Sequence, residues 1–535
     1  MLKFQTAHLE VMMQSRLIIF ALIGLLTLVF CGSCMKKSPY PPEVTEVLKE
    51  AGDNRSELEK ILALYMAGDD TLKLQAAYYL IANMEGHCYA TYVLKDSSDE
   101  QIDFNVLDYF DYDILRSAFD SLEAQYGELD FEKDERIYDM NVITANFLIS
   151  QIDNAFTAWR EKPWAKQLSF DRFCEYVLPY RGSNEPLESW RQTFQEKYSD
   201  IESKMADPLD PIEAAALIND DIKSWFKFDP RYYYHPNDQG LSGMLENGLG
   251  RCEDMTNVTI YAMRANGLAV TSDYTPYWAN SGNNHAWNAI VAPDGKVTPF
   301  MGAESNPGKY RLANKMAKVY RKTFSKQKNN LVFQKKKQEE VPGWLAGKSY
   351  VDVTVDYVDV CDVTVAFEQA VPDSVDIAYI CVFNSGEWKA IHWGRIENSS
   401  AVFTDMGKDI AYLPALYTNE EIKPFGAPFI LHEDCSIEKL QSDEQSAISA
   451  RLVSTTRRKQ AISTDGIARM FLTEGLEYEL FYWQDDWQSI GKSAAGDKPL
   501  VFDDVPDGCL YWLVEADSDE EERIFTIEDG KQVWW

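Results

Sequence analysis

The sequence predicts an α+β multidomain protein: an N-terminal helical region, a mixed helix–strand core and two C-terminal β-sandwich repeats. Three observations predict this. Helical periodicity dominates residues 40–205, a helix start at Cys252 is followed by a strand start at His285, and the chain beyond about residue 345 repeats itself. A chain of 535 residues with 45% hydrophobic and 13% aromatic content is globular and long enough for several domains. The expected boundaries are 1–34 for a targeting segment, 35–205 for the helical region and 206–330 for the core. The repeats are expected at 345–435 and 436–535.

The targeting segment is read from Arg16 and the apolar run Leu17–Phe30, which has the length of a signal-peptide core and is short for a bilayer span. Gly32-Ser33-Cys34 ends it and resembles the bacterial lipoprotein signal, which makes Cys34 the lipidation site. The localisation this implies is the bacterial cell envelope, with the chain held to a membrane by lipid and facing the periplasm or the cell surface. In the helical region, Ala145, Leu148, Ile152, Ala155, Phe156 and Trp159 keep one apolar face over several turns. Trp164, Phe170, Phe173, Tyr176 and Trp190 are expected in a core beneath it, and the region is expected to cap the next domain. The formal charge of −33 argues against nucleic acid and anionic membrane surfaces as electrostatic partners. The basic stretch from Lys315 to Lys337 interrupts this background and reads as a solvated connector.

The chemistry is carried by Gly250-Arg-Cys-Glu-Asp254 and Asn284-His-Ala-Trp-Asn288. Apolar residues at 255, 258, 262 and 263 continue a helix from Cys252, and Asn266-Gly267 stops it. A Cys in a first helical turn has backbone N–H groups and the positive end of the dipole nearby, which favour thiolate. Gly248 and Gly250 allow a tight turn into the helix. Residues 268–275 and 286–292 read as strands, the second opened by His285, with a turn at Pro293-Asp-Gly295 and a return strand after it. Over roughly 206–310 this order resembles the transglutaminase-like superfamily, whose members share a papain-like Cys–His–Asp core. The preceding helix, with Gln151–Phe156 and Trp159, is similar to that of bacterial transglutaminase-like lipoproteins. The resemblance implies a papain-like transglutaminase-type core with Cys252 as nucleophile and His285 as base.

The third member departs from the family pattern. Pairing across the 293–295 turn sets Ala292 opposite Lys296, Trp287 opposite Met301 and His285 opposite Ala303, so the acid slot holds no acid. Asp294 sits at the hairpin tip, roughly 30 Å from His285 at strand rise. Glu304, one position beyond the slot, either swings inward through a bulge to orient the imidazole or is a loop glutamate. Tyr232-Tyr-Tyr234 and Trp278 are candidate walls of a substrate cleft.

After Cys34 come Cys88, Cys174, Cys252, Cys361, Cys381, Cys435 and Cys509, without metal-ligand spacing. An odd count in an exported chain leaves at least one thiol free. At one ungapped offset Tyr379 matches Tyr478, Trp388 matches Trp487, Phe403 matches Phe502, Asp405 matches Asp504 and Tyr412 matches Tyr511. Short strands and turn clusters in both copies suggest Ig-like sandwiches, with Trp388 and Trp487 in equivalent buried places and Cys381 and Cys509 as buried apolar residues. The expected function is exported thiol-dependent acyl transfer or amide hydrolysis on a protein, peptide or peptidoglycan-type amide, with no cofactor, no metal and no nucleic acid. Protease, amidase and transglutaminase outcomes stay open, as does a non-catalytic binding protein of the envelope on the same scaffold.

Overall fold

The computed structural model describes residues 38–456, 472–516 and 522–535; the expected targeting segment, with Cys34, lies outside the described residues. Helices α1 (Pro42–Glu50), α2 (Arg55–Ala67) and α3 (Thr71–Asn83) open the described chain. They bury one apolar cluster, Val44, Leu48, Leu58, Ile61 and Leu80 among it, against the Leu148–Phe156 face that the periodicity predicts. Between them lies an unexpected insertion. Strands β1 (Cys88–Lys95), β2 (Gln101–Ile102) and β3 (Asp130–Tyr138) form an antiparallel sheet in the order β2-β1-β3, with helix α4 (Tyr112–Tyr126) in the loop. The sequence conceals this sheet because β3 reads Asp-Phe-Glu-Lys-Asp-Glu-Arg, too charged for an alternating strand signal.

Helix α5 (Ala145–Glu161) starts at Thr144, whose hydroxyl accepts the Phe147 N–H at 3.3 Å. Helices α6 (Phe170–Tyr176), α7 (Arg191–Lys197), α8 (Pro211–Trp225), α9 (Leu241–Asn247) and α10 (Cys252–Ala265) follow. The helical region does cap the core. Trp190 stacks on Tyr261 with ring centroids 5.1 Å apart, and the buried Arg191 guanidinium donates to the carbonyls of Val177, Leu178, Pro179 and Arg264.

Two-residue strands β4 (Lys227–Phe228) and β5 (Leu249–Gly250) pair in parallel just before α10. The core sheet comprises β6 (Val270–Thr275), β7 (His285–Val291), β8 (Val297–Phe300), β9 (Tyr320–Lys322) and β10 (Tyr350–Asp352), in the antiparallel order β10-β9-β6-β7-β8. Two expectations change here. The sheet draws its edge strand from residues 350–352, beyond the expected core limit of 330 and inside the expected start of the first repeat. The basic stretch is no solvated connector: it supplies β9 and buries Lys318, which pairs with Asp352 and donates to the carbonyls of Thr404 and Asp405 at 2.8 and 3.0 Å. Arg321 likewise pairs with buried Asp273 at 2.8 Å. Spacing along a charge run cannot reveal a partner carboxylate brought in from another strand.

The first repeat comprises β11 (Val360–Ala366), β12 (Ile377–Asn384), β13 (Glu387–Glu397), β14 (Ser400–Gly407), β15 (Ile410–Thr418), β16 (Glu421–Pro424), β17 (Phe429–Leu431) and β18 (Ile437–Lys439). The second comprises β19 (Asp443–Leu452), β20 (Glu477–Trp483), β21 (Trp487–Ala494), β22 (Leu500–Asp507), β23 (Tyr511–Glu515), β24 (Ile524–Glu528) and β25 (Lys531–Trp534). In each, the first strand pairs with the fourth and the second lies between the third and the fifth, so the internal repeat is structural. Tyr412 donates to the Gly407 carbonyl at 2.7 Å and Tyr511 to the Pro506 carbonyl at 2.6 Å, the same bond in each copy. Asp405 and Asp504 both take left-handed backbone, at φ 52° and 59°. A Cys361–Cys435 disulfide staples the first copy; Cys381 and Cys509 are free and buried, as expected.

The two copies share an aromatic cluster. Trp388 is buried, but Trp487 is only half-buried, and Phe383 lies edge-on to both at 5.5 and 5.8 Å. Trp483 bridges the two tryptophans at 5.7 and 5.0 Å. Both faces of β12 are buried as a result, one in the first copy's interior and one against the second copy. The copies are therefore coupled. Trp388→Ala is expected to cost about 3–5 kcal/mol. It should lower the unfolding midpoint of both copies together, followed by guanidinium titration with separate probes in each; loss confined to the first copy would contradict the coupling.

Candidate active site

Helix α9 ends at Gly248, which takes left-handed backbone at φ 63° as its cap. Gly250 is required for a different reason. A Cβ there would stand 2.5 Å from the Cβ of Asp254, the side chain that holds the next helix start. Asp254 accepts the Arg251 N–H at 3.0 Å and the Gln239 N–H at 2.8 Å. Burial, then the nearby charge of Asp238, pushes its pKa up to about 6. Arg251 in turn pairs with Asp238 at 3.0 Å.

Cys252 is thereby fixed as the first residue of α10, only 8% exposed. His285 is the first residue of β7, and the backbone N–H of the next residue, Ala286, lies near enough to the Cys252 sulfur to favour its thiolate slightly. The helix start that carries Cys252 thus packs on the strand start that carries His285. The thiol donates to Glu253 Oε2 at 2.9 Å. The His285 Nε2 is 2.6 Å from the Tyr310 hydroxyl, and its ring lies nearly parallel to Trp278 at 5.8 Å.

Glu304 is not brought to His285. The β7–β8 register follows the expectation through Asn288 opposite Phe300. The chain then turns on itself over Met301–Ser305, with Ala303 at φ 58°, and Glu304 points to solvent. Gly302 and Ala303 are pressed into the core instead, their N–H groups donating to Asn288 at 3.2 Å and Asn219 at 2.8 Å. A Cβ on Gly302 would stand 2.2 Å from the Thr259 hydroxyl. The expected acid slot is therefore filled by a plug of small residues. Among the described residues no hydrogen bond or ion pair joins a carboxylate to His285.

The electrostatics overturn the expectation of an acidic thiol. Burial, reinforced by the charge and hydrogen bond of Glu253, pushes the Cys252 pKa well up, against the smaller help of the Ala286 N–H and Arg251. Burial also lowers the pKa of His285, against the smaller opposing charge of Glu253. Both shifts favour the uncharged forms, a thiol at Cys252 and a neutral imidazole at His285. Two participants were missed from sequence. Glu253 was detectable, since a carboxylate next to Cys in a first helical turn can reach its sulfur; Tyr310 was not, because its place depends on the 301–305 turn.

A cavity of about 740 Å³ opens beside His285. Tyr233 and Trp278 wall it as expected, whereas Tyr232 is buried and Tyr234 packs on Phe119 at 4.9 Å. Trp534 and Trp535 close the far side. Residues 199–300 match the model of the transglutaminase-like superfamily. This segment is a transglutaminase-like domain. The match contains Cys252 and His285 and stops short of Glu304 and Tyr310. No curated protein matches the chain.

Two measurements check the transglutaminase-like site. Iodoacetamide should alkylate Cys252 slowly at neutral pH, with the rate rising only above the ordinary thiol range of about 8.5. Glu253→Gln removes a negative neighbour and should speed neutral-pH labelling several-fold. Fast labelling of the unaltered protein at neutral pH would refute the neutral pair. For Asp254, a folded pKa above the unfolded one means that its stabilising contribution is present below 3.8 and lost as pH rises through about 6. The stability difference between the native protein and Asp254→Asn should therefore shrink over that window in thermal melts. A constant difference would show that Asp254 titrates normally.

Proposed function

We propose that Cys252 and His285 form a thiol-dependent acyl-transfer centre acting on amides. The observation that carries this reading is the Cys252 sulfur at a helix start, close to the backbone N–H of Ala286, the residue after His285, within a transglutaminase-like segment. The sulfur adds to the amide carbonyl carbon as its proton passes to His285, so general-base transfer accompanies the attack and no standing thiolate is needed. Protonated His285 then gives that proton to the departing amine as the C–N bond breaks. Water resolves the thioester in hydrolysis, an amine in transamidation; hydrolysis is the simpler outcome for an exported protein. Tyr310 orients the imidazole in place of a carboxylate, and Glu253 holds the thiol proton at rest.

The protonated thiol and the absence of a carboxylate bonded to His285 favour a second reading, a binding scaffold on the same fold. Labelling with a thiol-reactive amide probe separates the two. A catalytic pair predicts that Cys252→Ala abolishes labelling, that His285→Ala slows it by about 10²-fold or more, and that Tyr310→Phe has a smaller effect. Unchanged labelling in His285→Ala would leave the binding scaffold.

Lipid attachment at Cys34 in the bacterial envelope is part of the same proposal. The Cys361–Cys435 disulfide supports an oxidising compartment. Among the described residues no helix is long and apolar enough to cross a membrane. The native protein should enter the detergent phase on phase separation and Cys34→Ala should not; equal partitioning would rule the anchor out.

A further inference from the structure

A second cavity, about 530 Å³, lies between the insertion sheet, the loop after α6 and the far edge of the core sheet. That volume suits a small ligand. Neither Cys252 nor His285 lines it. We propose that it binds a small molecule carrying an oxyanion on an aromatic or apolar body.

The charge balance points to the oxyanion. In a chain of net charge −33, five cations line this cavity against two carboxylates, Glu50 and Glu85. Arg181 is neutralised by Asp139 at 2.5 Å, and Lys348 by Glu85. Arg136, Arg264 and Lys322 make no ion pair among the described residues. Lys322 bonds the Ser183 hydroxyl at 2.5 Å and lies 5.8 Å from the Tyr274 ring centroid, so its ammonium keeps donors to spare. Its field also reaches Asp238, which Arg251 already pairs. Arg264 is buried and bonds only carbonyls, those of Val270 and Arg181, while the carboxylates of Glu175 and Glu185 act on it without pairing. A buried cation without a directly paired carboxylate is costly, and a bound anion relieves that cost.

The walls point to the body. Tyr274, Phe324, Trp344 and Tyr350 present aromatic surface to the cavity, and rings pack well on a flat apolar group. The position is also informative. Tyr274 pairs in register with Ala286, and Arg264 lies in the last turn of α10. A ligand here would touch α10, which carries Cys252, and β6, the strand paired with the His-bearing β7.

Calorimetric titration of the full chain with benzoate, at low ionic strength, tests the proposal. Benzoate should bind saturably with Kd roughly millimolar or tighter, and Lys322→Met should weaken it about tenfold or more. Arg136→Gln, on an exposed strand and harmless to the fold, should weaken it by a smaller factor. Inorganic phosphate should compete for the oxyanion end, neutral benzamide should not bind, and Cys252→Ala should leave benzoate affinity unchanged. The proposal fails if benzamide binds as well as benzoate, if both charge variants bind benzoate normally, or if Cys252→Ala abolishes binding. Phosphate binding without benzoate binding would overturn the aromatic body.

Discussion

Asp254 accepts two backbone N–H groups from within the protein, one from the residue before α10 and one from the loop that precedes α9. That pair of hydrogen bonds to one carboxylate fixes where α10 begins, and so where Cys252 stands. The arrangement constrains its neighbours: Gly250 leaves room for the carboxylate, and Arg251, kept at the helix start, reaches Asp238. A cap of this kind stabilises a helix by about 1 kcal/mol. Burial of the carboxylate works against it, which is why its pKa stands near 6. The structure accepts a cost at Asp254 to hold the sulfur in place.

The same helix start explains why position alone does not acidify the thiol. The positive end of a helix stabilises an adjacent anion by about 0.3–1 kcal/mol. Around Cys252 it competes with near-complete burial and with the carboxylate of Glu253, both of which favour the protonated form. Burial wins. Across the site, the plug at Gly302 and Ala303 withholds the carboxylate that would stabilise an imidazolium. Both halves of the pair are biased to neutrality by packing, and a substrate that alters the local solvation would change that balance most.

The legible parts of this chain are local. The Cys252 helix start, the 293–295 hairpin and its register, and the helix face from Ala145 to Phe156 follow from spacing, turn residues and periodicity. The repeat is legible too, because equivalent tyrosines make the same bond in each copy. What escapes is set by distant partners. The register predicts Ala303 opposite His285, but Asn219 and Asn288 capture the backbone there and turn it away. Lys318 and Arg321 look like solvent charges until Asp352 and Asp273 arrive from other strands. Trp487 matches Trp388 in sequence, yet lies at an interface that no pattern within one copy describes.

That interface changes what the C-terminal repeats do for the site. Asn384, at the end of β12, places its amide nitrogen within 2.9–3.0 Å of the carbonyls of Trp278, Ser281 and Asn283. Arg523 reaches across from the second copy to the carbonyls of Ala279 and Phe383, both at 2.6 Å. These bonds hold the loop from Trp278 to His285, whose backbone has no strand of its own to pair with before β7 begins. Trp534 and Trp535 then close the cavity that His285 faces. The repeats therefore act as part of the cleft rather than as spacers: they shape one wall and anchor the other. Phe383 and the tryptophans join the two copies behind that wall.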